Sequence, residues 1–168
     1  MCYRLETERL ILRPFTLDDL PAFLAMNQDP EVIRYTGQQP LRDLDQAREM
    51  MIKAPLRDYE VHGYGRLAVE LKETGQVIGF CGIKHVDELG LPELGYRLLR
   101  AYWGKGLMTE GAAVVLEHGH TELDLKHIIA LIHPDNEGSI RVAEKLGMSC
   151  GPLLELDGMP VWQYQSRR

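Results

Sequence analysis

At 168 residues, with 45% hydrophobic and 26% charged residues, the chain has the size and balance of one ordinary globular domain, which excludes the disordered and fibrous classes. A formal net charge of −6 tells against non-specific nucleic-acid binding, which needs clustered lysine and arginine, and an acidic surface suits a cationic acceptor such as an amine. No apolar run approaches the roughly 18 residues of a membrane span, and the first residues hold a glutamate and no apolar core of a secretory leader, so a cytoplasmic protein away from membranes is expected. Cys2, Cys81 and Cys150 are odd in number and widely spaced, a pattern of buried or idle thiols rather than of a disulfide framework or a metal site.

Alternation of Leu10 and Leu12 predicts a strand over residues 9–13, ended by Pro14. Thr16 followed three places later by Asp19 resembles a capping box and opens a helix to about Met26. Leu44, Ala47 and Met51 at helical spacing predict a second helix over 41–53. The period then becomes two, and strands over 64–71 and 76–84 are joined by a turn at Glu73-Thr74-Gly75, with a third strand over 93–99. A helix follows over 106–119, a branched-residue strand over 128–132, and a helix over 136–146 stopped by Gly147. Residues 153–156 and 159–164 read as a closing hairpin around Asp157-Gly158. No linker divides the chain, so a single domain over 1–168 with a mixed α/β pattern around one sheet is expected.

The run Trp103-Gly104-Lys105-Gly106-Leu107 carries a strand through two glycines into a helix. Such a junction leaves backbone N–H groups unpaired at the positive end of the helix dipole, a natural seat for a phosphate or pyrophosphate, with Lys105 able to add charge. The mononucleotide P-loop would need glycine at Leu99 and Ser or Thr at Gly106, and the dinucleotide fingerprint would need glycine at Thr109. Both readings fail.

Five segments resemble the GNAT superfamily of acyl-coenzyme A-dependent N-acyltransferases, in particular its RimJ/RimL-like branch of ribosomal-protein-alanine N-acetyltransferases. They are Thr7-Glu8-Arg9-Leu10-Ile11-Leu12-Arg13-Pro14, Gly79-Phe80-Cys81-Gly82-Ile83, Glu93-Leu94-Gly95-Tyr96-Arg97-Leu98, the run from Tyr102 through Gly111, and the run from Asn136 through Met148. The resemblance implies a mixed, mostly antiparallel sheet flanked by about four helices, with two parallel strands splayed apart. It implies acetyl-CoA as co-substrate, its pantetheine arm hydrogen-bonded to the backbone of Leu98 and Leu99. The pyrophosphate would lie on the N–H groups from Trp103 through Gly104, Lys105, Gly106, Leu107 and Met108 into Thr109, and Asn136 would reach the pantetheine. Ala101 stands where relatives often have Gln or Arg, which leaves the amide cradle intact.

Acyl transfer needs a neutral amine, an oxyanion donor and a proton for the departing thiolate. The N–H of Leu99 or Arg100 is the candidate oxyanion donor. Many relatives place a tyrosine where this chain has Ala143, and Ser139 is the substitute proton source. Glu93, on one strand face with Gly95 and Arg97, is the candidate base, with an ion pair to Arg97 as its structural reading. His133, at a strand end, is a second titratable candidate; it, Tyr35 and His85 are assigned to the acceptor pocket, and no metal is expected. Glu110 reads as a helix first-turn charge. The acceptor expected is a protein or peptide N-terminal amine, with a small amine (aminoglycoside, polyamine or amino acid) or a non-catalytic acyl-CoA-binding module as alternatives, in a monomer or homodimer. An α-amine, with a pKa near ~8, needs less help from a base than a lysine-type amine near ~10.4.

Overall fold

The computed structural model describes residues 3–168, so Cys2 lies outside the described residues; Cys81 is buried and Cys150 exposed. An eight-stranded sheet in the order β1-β2-β3-β4-β5-β6-β8-β7 forms its centre. The strands are β1 (Leu5–Glu6), β2 (Leu10–Pro14), β3 (Arg66–Leu71), β4 (Val77–Val86), β5 (Leu91–Leu98), β6 (His127–Ile132), β7 (Ser149–Leu156) and β8 (Met159–Arg167). Neighbours are antiparallel except β5 and β6, which run parallel and meet at the single pair Glu93 and Ile129. Each of the two is fully engaged on its other side, β5 from Leu91 to Leu98 with β4 and β6 from His127 to Ile132 with β8. Beyond Glu93 they diverge, giving the splayed pair expected.

Four helical bodies flank this sheet, two on each face. Leu10, Leu12, Leu67, Ile83, Leu94 and Ile128 form one core with α4 (Leu107–Thr121) and α5 (Glu137–Lys145). Ala68 and Phe80 form the other with Phe15, Phe23 and Met26 of α1 (Leu20–Gln28) and its approach, and with Ala47 and Met51 of α2 (Leu44–Met51).

The predicted helix over 41–53 is displaced. Asp43 caps it, accepting from the Gln46 N–H at 2.9 Å, while Gln46 accepts from the Arg42 N–H at 2.7 Å. The helix then passes through Pro55 instead of ending, because the missing N–H is absorbed in a π-helical stretch at Ile52–Leu56 that leads into α3 (Arg57–His62). At α1 the Thr16 N–H donates to the Asp19 carboxylate at 2.9 Å, but the first turn, Leu17–Asp19, is a 3₁₀ helix. The closing hairpin is longer than predicted on both arms, and Asp157 and Gly158 turn it at φ of 50° and 77°.

Candidate active site

Between β5, β6 and the start of α4 lies a cleft of about 1410 Å³. At the end formed by the start of α4, Gly104 and Gly106 both adopt φ of +74°, a left-handed conformation costly for residues with a Cβ. A Cβ on Gly104 would meet no protein atom within 4 Å, so glycine here keeps open ground that a ligand can fill. Among the described residues, the N–H groups of Gly104, Lys105, Gly106, Leu107, Met108 and Thr109 have no backbone acceptor; the first bond of the turn is Glu110 N–H to the Gly106 carbonyl at 3.2 Å. Six unpaired donors at a helix start fit a pyrophosphate. The cradle begins one residue later than predicted, because the Trp103 N–H already donates to the Arg100 carbonyl at 3.1 Å. Lys105 turns aside: its Nζ stands 5.8 Å from the centre of the Tyr102 ring, and its carbonyl accepts from Arg9 at 3.1 Å.

The strand edge differs from expectation at Leu99. Its N–H donates to the Ile78 carbonyl at 2.9 Å, on the β4 side, so it neither faces the gap nor is free as an oxyanion donor. Alternation along a strand therefore turns the peptide groups of Tyr96 and Leu98 toward the gap. The Leu98 carbonyl accepts from Trp103 Nε1 at 2.7 Å, and that indole is 48% exposed.

Glu93 is 9% exposed on the opposite side of the gap, facing the α1–α3 side of the sheet. Its nearest cation is Arg66, with Nη2 3.7 Å from Oε1, and not Arg97. Burial pushes the Glu93 carboxyl above its ordinary range, and the charges of Arg66 and Lys84 partly oppose that rise. Arg97 instead donates to Asn27 Oδ1 at 2.7 Å and to the Met26 carbonyl at 3.3 Å.

Asn136 and Ser139 both line the cleft. It is Asn136 that caps α5, its Oδ1 accepting from the Ser139 N–H at 3.3 Å, so the Ser139 hydroxyl has no capping duty. Ala143 is fully buried. Tyr96 adds a phenol to the site: its hydroxyl donates to the Ser139 carbonyl at 2.7 Å, and burial keeps it protonated well above its ordinary value. Tyr35 and His133 come together across the cleft, their rings 5.2 Å apart, while His133 Nδ1 accepts from the Asp135 N–H at 3.0 Å. His85 is elsewhere. Lys84 and Val86 on either side of it line the cleft, whereas its ring packs 4.7 Å from that of His62.

A profile of the acetyltransferase (GNAT) domain covers residues 9–149. The chain belongs to the GNAT acetyltransferase family. Similar GNAT proteins include the uncharacterized N-acetyltransferase p20 of Bacillus licheniformis, 38% identical over 152 residues that cover 89% of this chain and 84% of the relative. The spermidine N(1)-acetyltransferase of Escherichia coli (strain K12) is 27% identical over 141 residues, 82% of this chain and 72% of that one. A crystal structure of an acetyltransferase from Agrobacterium tumefaciens str. C58 superposes with a TM-score of 0.86 at 29% identity, covering 100% of this chain and 96% of the other. The GNAT chain is therefore an acyltransferase, and the donor of its family is acetyl-CoA.

Arg66, Lys84 and Tyr96 are the cleft groups that sequence reasoning missed. Lys84 is paired across the strands with Glu93, and an exact β4–β5 register would have disclosed it. Arg66 lies two strands away and has no local signal.

Proposed function

We propose that this GNAT protein is an N-acetyltransferase of the RimJ/RimL-like type, which moves the acetyl group of acetyl-CoA to a primary amine by direct attack in a ternary complex. The acceptor class proposed is an α-amine, at a protein or peptide N-terminus or in a small molecule. The observation that carries this reading is the buried Glu93 carboxylate at one end of a splayed strand pair whose other end is the open amide cradle.

Bound acetyl-CoA supplies an activated thioester. The amides of Gly104 to Thr109 would hold its pyrophosphate, and the gap-facing peptide of Leu98 and the Asn136 side chain would orient the pantetheine. Glu93, held partly protonated to higher pH than an ordinary carboxyl, would accept the proton that the amine loses as its N–C bond forms. The Ser139 hydroxyl would give a proton to the sulfur as the C–S bond breaks, with Tyr96 fixing the helix turn that carries it. Tyr35 and His133 would line the acceptor's path. We place the reaction in the cytoplasm, in a monomer or homodimer.

A panel of amines and short peptides, read by release of the coenzyme thiol, tests the reading. Turnover with α-amines, lost in Gly104→Asp, is expected. Coenzyme binding with no thiol release from any amine would favour a binding module instead.

A further inference from the structure

On the acceptor side of the cleft the sheet carries more positive charge than transfer to a bare amine requires. Arg66, Lys84 and Arg97 stand there on β3, β4 and β5, and among the strand residues that line the cleft Glu93 is the single carboxylate. Glu31, Glu88, Asp135, Glu137 and Asp157 also line the cleft, from loops and from the start of α5, and Asp58 of α3 acts on Lys84 and Arg66. For a chain of net charge −6, three cations to one carboxylate on these strands is a local reversal of sign.

The two guanidiniums are incompletely used. Arg66 and Arg97 stand 4.9 Å and 5.0 Å from the centre of the Phe80 ring, and the charge of Arg66 bears on Arg97. Among the described residues the acceptors of Arg97 are neutral: Asn27, the Met26 carbonyl and Gln38 at 3.5 Å. Burial and the charge of Arg66 push it down to about 9, which leaves it the cation at neutral pH. Among the described residues Arg66 touches one carboxylate at the long distance of 3.7 Å, and its buried Nε has no hydrogen-bond partner. The Arg66 side chain keeps 27% of its surface open and lines the cleft, so it remains available to a ligand there. Gly95 keeps the ground between these groups clear: a Cβ there would stand 3.4 Å from Arg66 Nε and 3.7 Å from Glu93 Oε1.

We propose that the acceptor amine carries a carboxylate a few bonds away, and that Arg66 and Arg97, with Lys84 beside them, form its seat. The spacing fits such a ligand, because Arg66 adjoins the proton acceptor Glu93: an amine delivered to Glu93 brings a neighbouring carboxylate onto the guanidiniums. Planar guanidinium forks match carboxylates in pairs of hydrogen bonds. A polyamine would meet like charge here. This inference rests on the reading of the cleft as an acetyl-transfer site.

The test compares kcat/KM for matched acceptors: a free amino acid against its amide, peptides starting Asp or Glu against those starting Asn or Gln, and spermidine. Each carboxylate member is expected to exceed its neutral partner by roughly 10- to 100-fold, the range of a charge-assisted hydrogen bond. Free amino acid against acidic peptide separates the two sources of the carboxylate. In Arg66→Gln and Arg97→Gln the acid-to-amide ratio should collapse toward one, mainly through KM. Arg97 also anchors α1, so Arg66→Gln serves if Arg97→Gln fails to fold. Equal use of acid and amide, or a preference for spermidine, would overturn the carboxylate seat while leaving acetyl transfer intact. If no amine released thiol, the transfer reading would fall, and calorimetry with free CoA present would judge the seat alone. An amino acid bound by the native protein and not by Arg66→Gln would support it; no binding would overturn it.

Discussion

Glu93 is under opposed influences, and in its proposed role as the base their balance sets the pH at which transfer begins. Burial raises its pKa, and Arg66 and Lys84 lower it, with burial prevailing. A base must be deprotonated to act, so the acid limb of kcat/KM should lie above the ordinary carboxyl value of about 4.3. Removing a cation in Arg66→Gln lets burial act with less opposition, and the limb should move to higher pH. Glu93→Gln should lose the limb and about 10²- to 10⁴-fold in rate, and a pH–rate profile that survived this change would remove Glu93 from the chemistry. The position of Glu93 was legible because strand alternation assigns a face. Its partner was not: Arg97 shares that face by count, yet Asn27 and Gln38 draw it away, and Arg66 arrives from a strand whose register no local pattern specifies. His85 points away from the cleft for a related reason, since one residue along a strand reverses the face and sends the ring to His62.

At the level of elements, the site depends on how α4 and its loop are held. Glu110 was legible as a first-turn acid, but its larger role is to tie α4 to the turn between β1 and β2. It accepts from the Thr7 hydroxyl, from the Arg9 N–H at 3.0 Å and from Arg9 Nε at 2.8 Å. Burial raises its carboxyl, but these donors outweigh burial and hold it below the ordinary value. A depressed carboxyl stabilises the fold above its unfolded pKa and loses that contribution as pH falls through the folded one. Glu110→Gln should therefore cost about 1–2 kcal/mol near neutrality, and thermal melts should show the gap closing in acid. A difference of the same size at pH 7 and pH 3 would deny the ionic tie. The Trp103 indole has a second consequence for the same loop. By holding the Leu98 carbonyl it occupies the strand edge where a pantetheine amide would add on. Trp103→Phe frees that acceptor and should tighten CoA binding by roughly 2- to 10-fold, the worth of one neutral hydrogen bond. Calorimetry showing weaker binding would mean that the indole supports the coenzyme instead of competing with it. Neither tie was readable from sequence, because both join residues brought together only by the turn or the sheet.

For the whole molecule, the sheet is two half-sheets joined at Glu93 and Ile129, and a coenzyme lying between them would bridge the join. A ligand that binds the folded state alone stabilises it by RT ln(1 + [L]/Kd), about 2.7 kcal/mol at a hundred times Kd. For a domain of this size each kcal/mol moves Tm by roughly 2–4 °C, so acetyl-CoA should raise it by about 5–11 °C. The protection should not be uniform. Amide exchange ought to slow most in β5, β6 and the Gly104–Thr109 turn, and little in β1 and β2 at the far edge, because the bridged strands are those lacking each other's hydrogen bonds. Gly104→Asp sets a carboxylate into the amide cradle at a φ of +74° and should abolish both the Tm rise and the local protection. A rise that persisted in this variant, or protection spread evenly over all eight strands, would put the coenzyme somewhere other than the gap.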